Sequence, residues 1–177
     1  MKVLGISGSL RSDSHNTRLL RVAAELLPPG VEFEEFGALR EVPPFDADGE
    51  AHPAPAVVAL KQAIADADAV VIATPEYNHS IPGVLKNALD WVSRPIAENP
   101  MRGKPALVIG ASTGMFGAVW AQAETRKVLG ALGARVLDEE LPVAQAPAGL
   151  DDEELEVRLG NLLRQLVASG EALVRAA

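Results

Sequence analysis

A doubly wound α/β fold with a five-stranded parallel sheet is predicted by three features of this 177-residue sequence. Five short apolar runs alternate with longer amphipathic stretches, the order produced when strands alternate with crossover helices. Two of the runs, AVVIAT at residues 69–74 and ALVIGA at 106–111, are apolar at consecutive positions, as central strands covered on both faces must be. Finally, loops rich in Gly, Ser and Pro follow the first, third and fourth runs, and open sheets of this kind bind ligands beyond the carboxyl ends of their strands.

The first strand is read over residues 2–7, bounded by Gly5 and Gly8. A helix over 17–27 follows, with Leu19, Leu20, Ala23, Ala24 and Leu27 at helical spacing, stopped by Pro28, Pro29 and Gly30. Residues 31–36 alternate apolar and acidic side chains imperfectly, as an edge strand does. Pro, Asp, Gly and His then dominate 42–55, a long surface loop. A helix over 56–65 leads into the third strand, and Val84, Leu85, Ala88, Leu89 and Val92 form one stripe of a helix over 83–92. The fourth strand precedes a helix over 118–132 that Gly133 ends. A fifth strand is expected over 135–141, and a last helix over 153–175 carries Leu155, Leu159, Leu162, Leu163, Leu166 and Val167 on one face. No repeat or linker divides the chain, so residues 1–177 are expected to form one domain.

Composition narrows the function. With no cysteine, the chain can form no disulfide, thiolate metal site or cysteine nucleophile, so any redox chemistry must come from a bound cofactor. Sixteen Lys and Arg against 24 Asp and Glu give a net charge of −8, which argues against a nucleic-acid or anionic-membrane surface. No stretch approaches the roughly 20 apolar residues of a membrane span, and a cytoplasmic location is expected.

The three loops carry the chemistry. GSLRSDSHN, residues 8–16, runs straight into a helix start, where free N–H groups and the positive helix end favour an anion. Ser9, Ser14, Asn16 and Thr17 add hydrogen-bond donors, and Arg11 adds a planar fork suited to phosphate oxygens. The Gly-Lys-Ser/Thr ending of an ATP-binding loop is missing, as is the glycine spacing of a dinucleotide fingerprint. TPEYNHSIPG, residues 74–83, offers Glu76, Tyr77, Asn78 and His79 to a planar heterocycle, with His79 expected to have no special role. In the third loop, residues 110–122, small residues leave backbone N–H groups free for a carbonyl-rich ligand edge.

Taken together, GSLR with Ser14 and Asn16, PEYNHSIPGVLKNALDW at 75–91, and GASTG followed by Phe116 and Gly117 resemble the NAD(P)H-dependent FMN reductase family. These flavodoxin-like proteins include bacterial quinone and chromate reductases. The resemblance implies that Ser9, Arg11, Ser14 and Asn16 hold the FMN phosphate. Pro75, Glu76, Tyr77 and Asn78 would line the isoalloxazine, and Ser112, Thr113 and Gly114 would meet its pyrimidine edge. One departure lies at TGMFGAV, 113–119, where many relatives carry a smaller residue near Met115. No catalytic side chain and no metal are implied, because the flavin supplies the chemistry. NAD(P)H is then the co-substrate, its phosphates within reach of Arg11, Arg94 or Arg102, and the second substrate a small oxidant such as a quinone or free flavin. A homodimer or homotetramer is expected, paired near Trp91 and the Val84, Leu89 and Val92 stripe. Two other readings share the fold: a flavodoxin-type electron carrier that does not turn over NAD(P)H, and a non-enzymatic flavin-binding protein. Arg11 counts against the carrier, whose usual phosphate loop is Thr- and Gly-rich.

Overall fold

The computed structural model describes residues 1–174. Along the chain it contains β1 (Lys2–Ser7), α1 (His15–Glu25), β2 (Glu32–Glu35), α2 (Pro55–Asp66), β3 (Ala69–Ala73), α3 (Gly83–Val92), β4 (Pro105–Ala111), α4 (Val119–Ala131), β5 (Arg135–Val136), β6 (Pro142–Val143) and α5 (Glu153–Val174). Arg175, expected to end the last helix, lies outside the described residues. The strands lie in the order β2-β1-β3-β4-β5 with β6 also against β4, and every pairing is parallel. The order reverses between β1 and β3, which is the switch point at which such sheets open a ligand crevice.

Strand alternation explains the layering. Leu4, Ile6, Val70, Ile72, Ala106 and Val108 face one way and pack on α2, α3 and α4 through Leu60, Ile64, Leu85, Leu89 and Leu129. Val3, Val71, Leu107 and Ile109 face the other way, onto α1 and α5 through Leu19, Leu20, Leu159 and Leu163. Each fully buried leucine contributes about 1.5–3 kcal/mol relative to exposure, so the apolar strands and helical stripes select this arrangement together. Gly5 in β1 is a packing glycine: a Cβ there would lie 2.3 Å from the Phe33 ring. Lys104, just before β4, donates to the Ala65 and Ala67 carbonyls at the end of α2. Burial lowers its pKa against the pull of Asp68 and Asp66.

Two expectations are corrected. The fifth strand is not continuous over 135–141; β5 pairs with the start of β4 and β6 with its end. Exposed Asp138, Glu139 and Glu140 fall between them, and a run of carboxylates cannot enter a sheet covered on both faces. Glu140 pairs instead with Arg126 of α4, and the Leu141 N–H donates to Gln122 Oε1 at 3.2 Å. The second correction concerns Trp91, which is 5% exposed and packed within its own chain. Its Nε1–H donates to the Pro43 carbonyl at 2.9 Å, and its ring meets Phe45 edge-on with centroids 5.0 Å apart. Asn87 adds two bonds to Pro43 and Phe45, so the loop over 42–55 is stitched to α3 across Trp91, while Val84, also expected in the pairing stripe, stays half-buried beside the apolar hollow.

Candidate flavin site

The first loop reaches α1 through Ser14, whose extended backbone and side-chain oxygen, 3.3 Å from the Thr17 N–H, make it the helix cap. The helix therefore begins at His15, two residues before the apolar periodicity does. Ser9 Oγ accepts the Arg11 N–H at 3.4 Å, and the Leu10 carbonyl is held by Arg40 Nη2 at 2.5 Å, which curls the loop over the helix start. Among the described residues, the His15 and Asn16 N–H groups and the Arg11 guanidinium have no protein partner. Two orphan amides on the positive end of a helix, with a cation lining the same cleft, make an anion niche.

Asn16 is occupied differently from the expectation. Its buried amide donates to the Ala111 carbonyl and accepts the Ala111 N–H, each at 2.9 Å, tying α1 to the end of β4. What Asn16 presents to the niche is its backbone N–H.

The second loop contains a tight hairpin. Tyr77 and Ser80 exchange both backbone hydrogen bonds, at 3.2 and 3.1 Å, and Asn78 and His79 between them have φ of 53° and 58°. Positive φ at both central residues is the signature of a type I′ turn, and Asn is among the residues that tolerate it best. The turn lifts Tyr77, 51% exposed, beside the niche. The Glu76 carboxylate is engaged by α4: its Oε2 accepts the Trp120 and Ala121 N–H groups at 3.0 and 3.2 Å. His79 Nδ1 stands 3.7 Å from Glu76 Oε1, and its ring packs edge-on against Trp120.

The third loop is braced from outside by the chain at β6. Ser112 donates its N–H to Val143 and accepts from Ala146, and the Gly114 carbonyl accepts from Gln145. The N–H groups of Thr113 and Gly114 have no protein partner among the described residues. Gln122, fully buried, supports the same loop by donating to the Gly117 carbonyl at 3.0 Å while accepting from Leu141. Sequence reasoning missed Gln122, and no local pattern could reveal it, since its partners come from two separate segments.

A cleft of about 120 Å³ brings together Ser9, Arg11, Ser14, His15, Asn16, Pro75, Glu76, Tyr77, Ser112 and Thr113. Asn78 and Gly114 sit outside its lining, on the exposed rim. An apolar hollow of about 440 Å³ adjoins it, sharing Arg11 and Tyr77. Arg94 and Arg102 do not belong here. They line a separate cleft of about 320 Å³ at the amino edge of the sheet, where Ala131 and Leu132 turn the negative end of α4 toward it. That correction leaves Arg11 as the cation for a phosphate at this cleft.

An anion niche at the helix start after β1, beside free amides at the end of β4 and at a sheet switch point, defines a mononucleotide-binding protein of the flavodoxin-like class. Comparison with known proteins takes this further. The family model of NADPH-dependent FMN reductases matches residues 1–148. An NAD(P)H-dependent FMN reductase of Pseudomonas aeruginosa is 42% identical over 180 residues, covering 99% of this chain and 96% of the relative. A quinone reductase of Escherichia coli strain K12 is 37% identical over 183 residues, covering 99% and 96%. Among solved structures, the flavoenzyme NAD(P)H:(acceptor) oxidoreductase FerB from Paracoccus denitrificans superposes with a TM-score of 0.86 at 36% identity over 97% of both chains. The chain belongs to the NADPH-dependent FMN reductase family. It is an oxidoreductase for which FMN is the fitting cofactor and NAD(P)H the fitting co-substrate. Among the described residues no helix is long and apolar enough to cross a membrane.

Proposed function

We propose that residues 1–177 act as one FMN-binding domain that passes electron pairs from NAD(P)H to a quinone, free flavin or similar small oxidant. The observation that carries the reading is the niche itself: unpartnered His15 and Asn16 amides in one cleft with an unpartnered Arg11 guanidinium, with the Ser9 and Ser14 hydroxyls at its wall. This donor set suits a terminal phosphate dianion, and charge-assisted bonds of this kind are the strong ones. Thr113 and Gly114 N–H groups suit the carbonyl-bearing pyrimidine edge of a flavin, while Pro75, Tyr77 and Asn78 supply a wall for its ring. When bound, FMN supplies hydride acceptance at N5 and two-electron delivery.

The chain's own residues bind and orient; none of them is required to move a proton. Open rims at Tyr77, Asn78, Met115 and Phe116 leave one face for both substrates in turn. The relatives' activities on quinones and flavins support the choice of oxidant. A homodimer or homotetramer in the cytoplasm completes the proposal. Trp91 is 5% exposed and packed within its own chain, so its side chain adds little to any pairing surface. The cofactor is tested by releasing bound flavin with heat and separating it by chromatography. FMN is expected; FAD alone, or an apo-protein that does not take up FMN, overturns the reading.

A further inference from the structure

We infer that Glu76 is a positioning residue that clamps the two walls of the flavin cleft together by capping α4 from across the cleft, and is not a ligand of the flavin ring. Helix α4 lacks a cap of its own. The residue before it, Ala118, is in the left-handed region at φ 61° and has no side chain to fold back on the helix. The orphan amides of its first turn therefore need an acceptor from elsewhere. Glu76 provides it: one oxygen takes both the Trp120 and Ala121 N–H groups, 44 and 45 residues along the chain. A carboxylate at the positive end of a helix is favourable in charge as well as in hydrogen bonding.

The side chain is only 13% exposed, its Oε2 is committed to the helix, and its Oε1 faces His79 at 3.7 Å. The anchorage links the hairpin loop after β3, which carries Tyr77, to the loop after β4, which carries Thr113 and Gly114. His79 and Trp120, packed at 4.6 Å, close the same junction at the surface. Without the clamp, among the described residues, the outer parts of the two walls keep that exposed contact, while the Thr74 N–H to Ile109 carbonyl bond at 2.9 Å holds only their bases. The apo-protein then spends part of its time with the walls apart, and apparent affinity for a ligand that needs both falls in proportion. The inference rests on the FMN reading only in its second arm below.

The test separates length from charge in the full-length protein, comparing Glu76→Gln, Glu76→Asp and Glu76→Ala. Gln keeps the reach and the accepting oxygen without the charge; Asp keeps the charge and is one methylene short. Amide exchange of Trp120 and Ala121 in the flavin-free protein reads the cap. FMN titration reads the clamp. Gln is expected within about threefold of wild type in both, whereas Asp and Ala lose about tenfold of the amide protection, the scale of one lost helix cap, and bind FMN about three- to tenfold more weakly. At saturating FMN the flavin absorption spectrum should be unshifted in all three, as a carboxylate outside the ring's hydrogen-bonding edge requires. If Asp binds FMN like wild type while Gln does not, the charge acts on the flavin and the inference is overturned. Unchanged protection of both amides in Asp and Ala also overturns it. If the FMN reading itself fails, wild type takes up no flavin, yet the exchange arm still reports on the cap.

Discussion

At the residue scale, Arg11 and Asn16 share one cleft and have opposite kinds of work. Arg11 has an unpartnered head, so Arg11→Ala should leave folding intact and weaken FMN binding by about 1.5–3 kcal/mol, the range for hydrogen bonds to charged groups. Asn16→Ala should do the reverse, since it strands the buried Ala111 N–H and carbonyl, at about 1–3 kcal/mol for each orphaned group. Denaturant unfolding of the apo-proteins together with FMN titration checks both. A destabilised Arg11→Ala or a fully stable Asn16→Ala would refute the division. The need for an anion site after β1 was legible from Gly8, Arg11, Ser14 and the helix start. That the Asn16 side chain belongs to β4 was not, because its partner lies 95 residues away and a lone Asn near a helix start reads locally as a cap.

At the scale of elements, the apolar runs and helical stripes were readable because burial on both faces leaves a periodic trace. β3, β4 and α3 fall where that trace places them, to within a residue. The interrupted edge after α4 was not readable as a break: Leu137, Leu141 and Val143 continue an apolar rhythm, and only the three carboxylates between them speak against a strand. The break has a use, since it lets β6 return under the third loop and brace Ser112 and Gly114. Gly117 is the point of contact. Its φ is +57°, and a Cβ would lie 2.6 Å from Pro142 C and Val143 N, both backbone atoms. Gly117→Ala should therefore destabilise the protein by about 1–3 kcal/mol from overpacking alone, with the strained φ added. Thermal melts of the variant with and without FMN check it, and a melting temperature within a degree of wild type would contradict the contact.

For the whole molecule, fold and family were both legible, because three loops at separated positions carry chemistry that only a doubly wound sheet brings to one edge. The covered Trp91 shows the limit of that reading. An amphipathic helix announces an apolar face, but whether the chain's own loop or another copy covers it depends on residues 43–45 folding back, and those carry no periodic signal. In the function proposed above, this edge forms an open flavin site where NAD(P)H and a small oxidant react in turn. Anaerobic addition of NADPH or NADH to the FMN-loaded protein tests it most directly, followed by benzoquinone, with the flavin absorbance recorded throughout. Bleaching by about one equivalent of nucleotide per flavin is expected, with full return of the colour on quinone addition over repeated cycles. An absorbance that neither nucleotide changes, in a protein whose flavin dithionite does reduce, would contradict it.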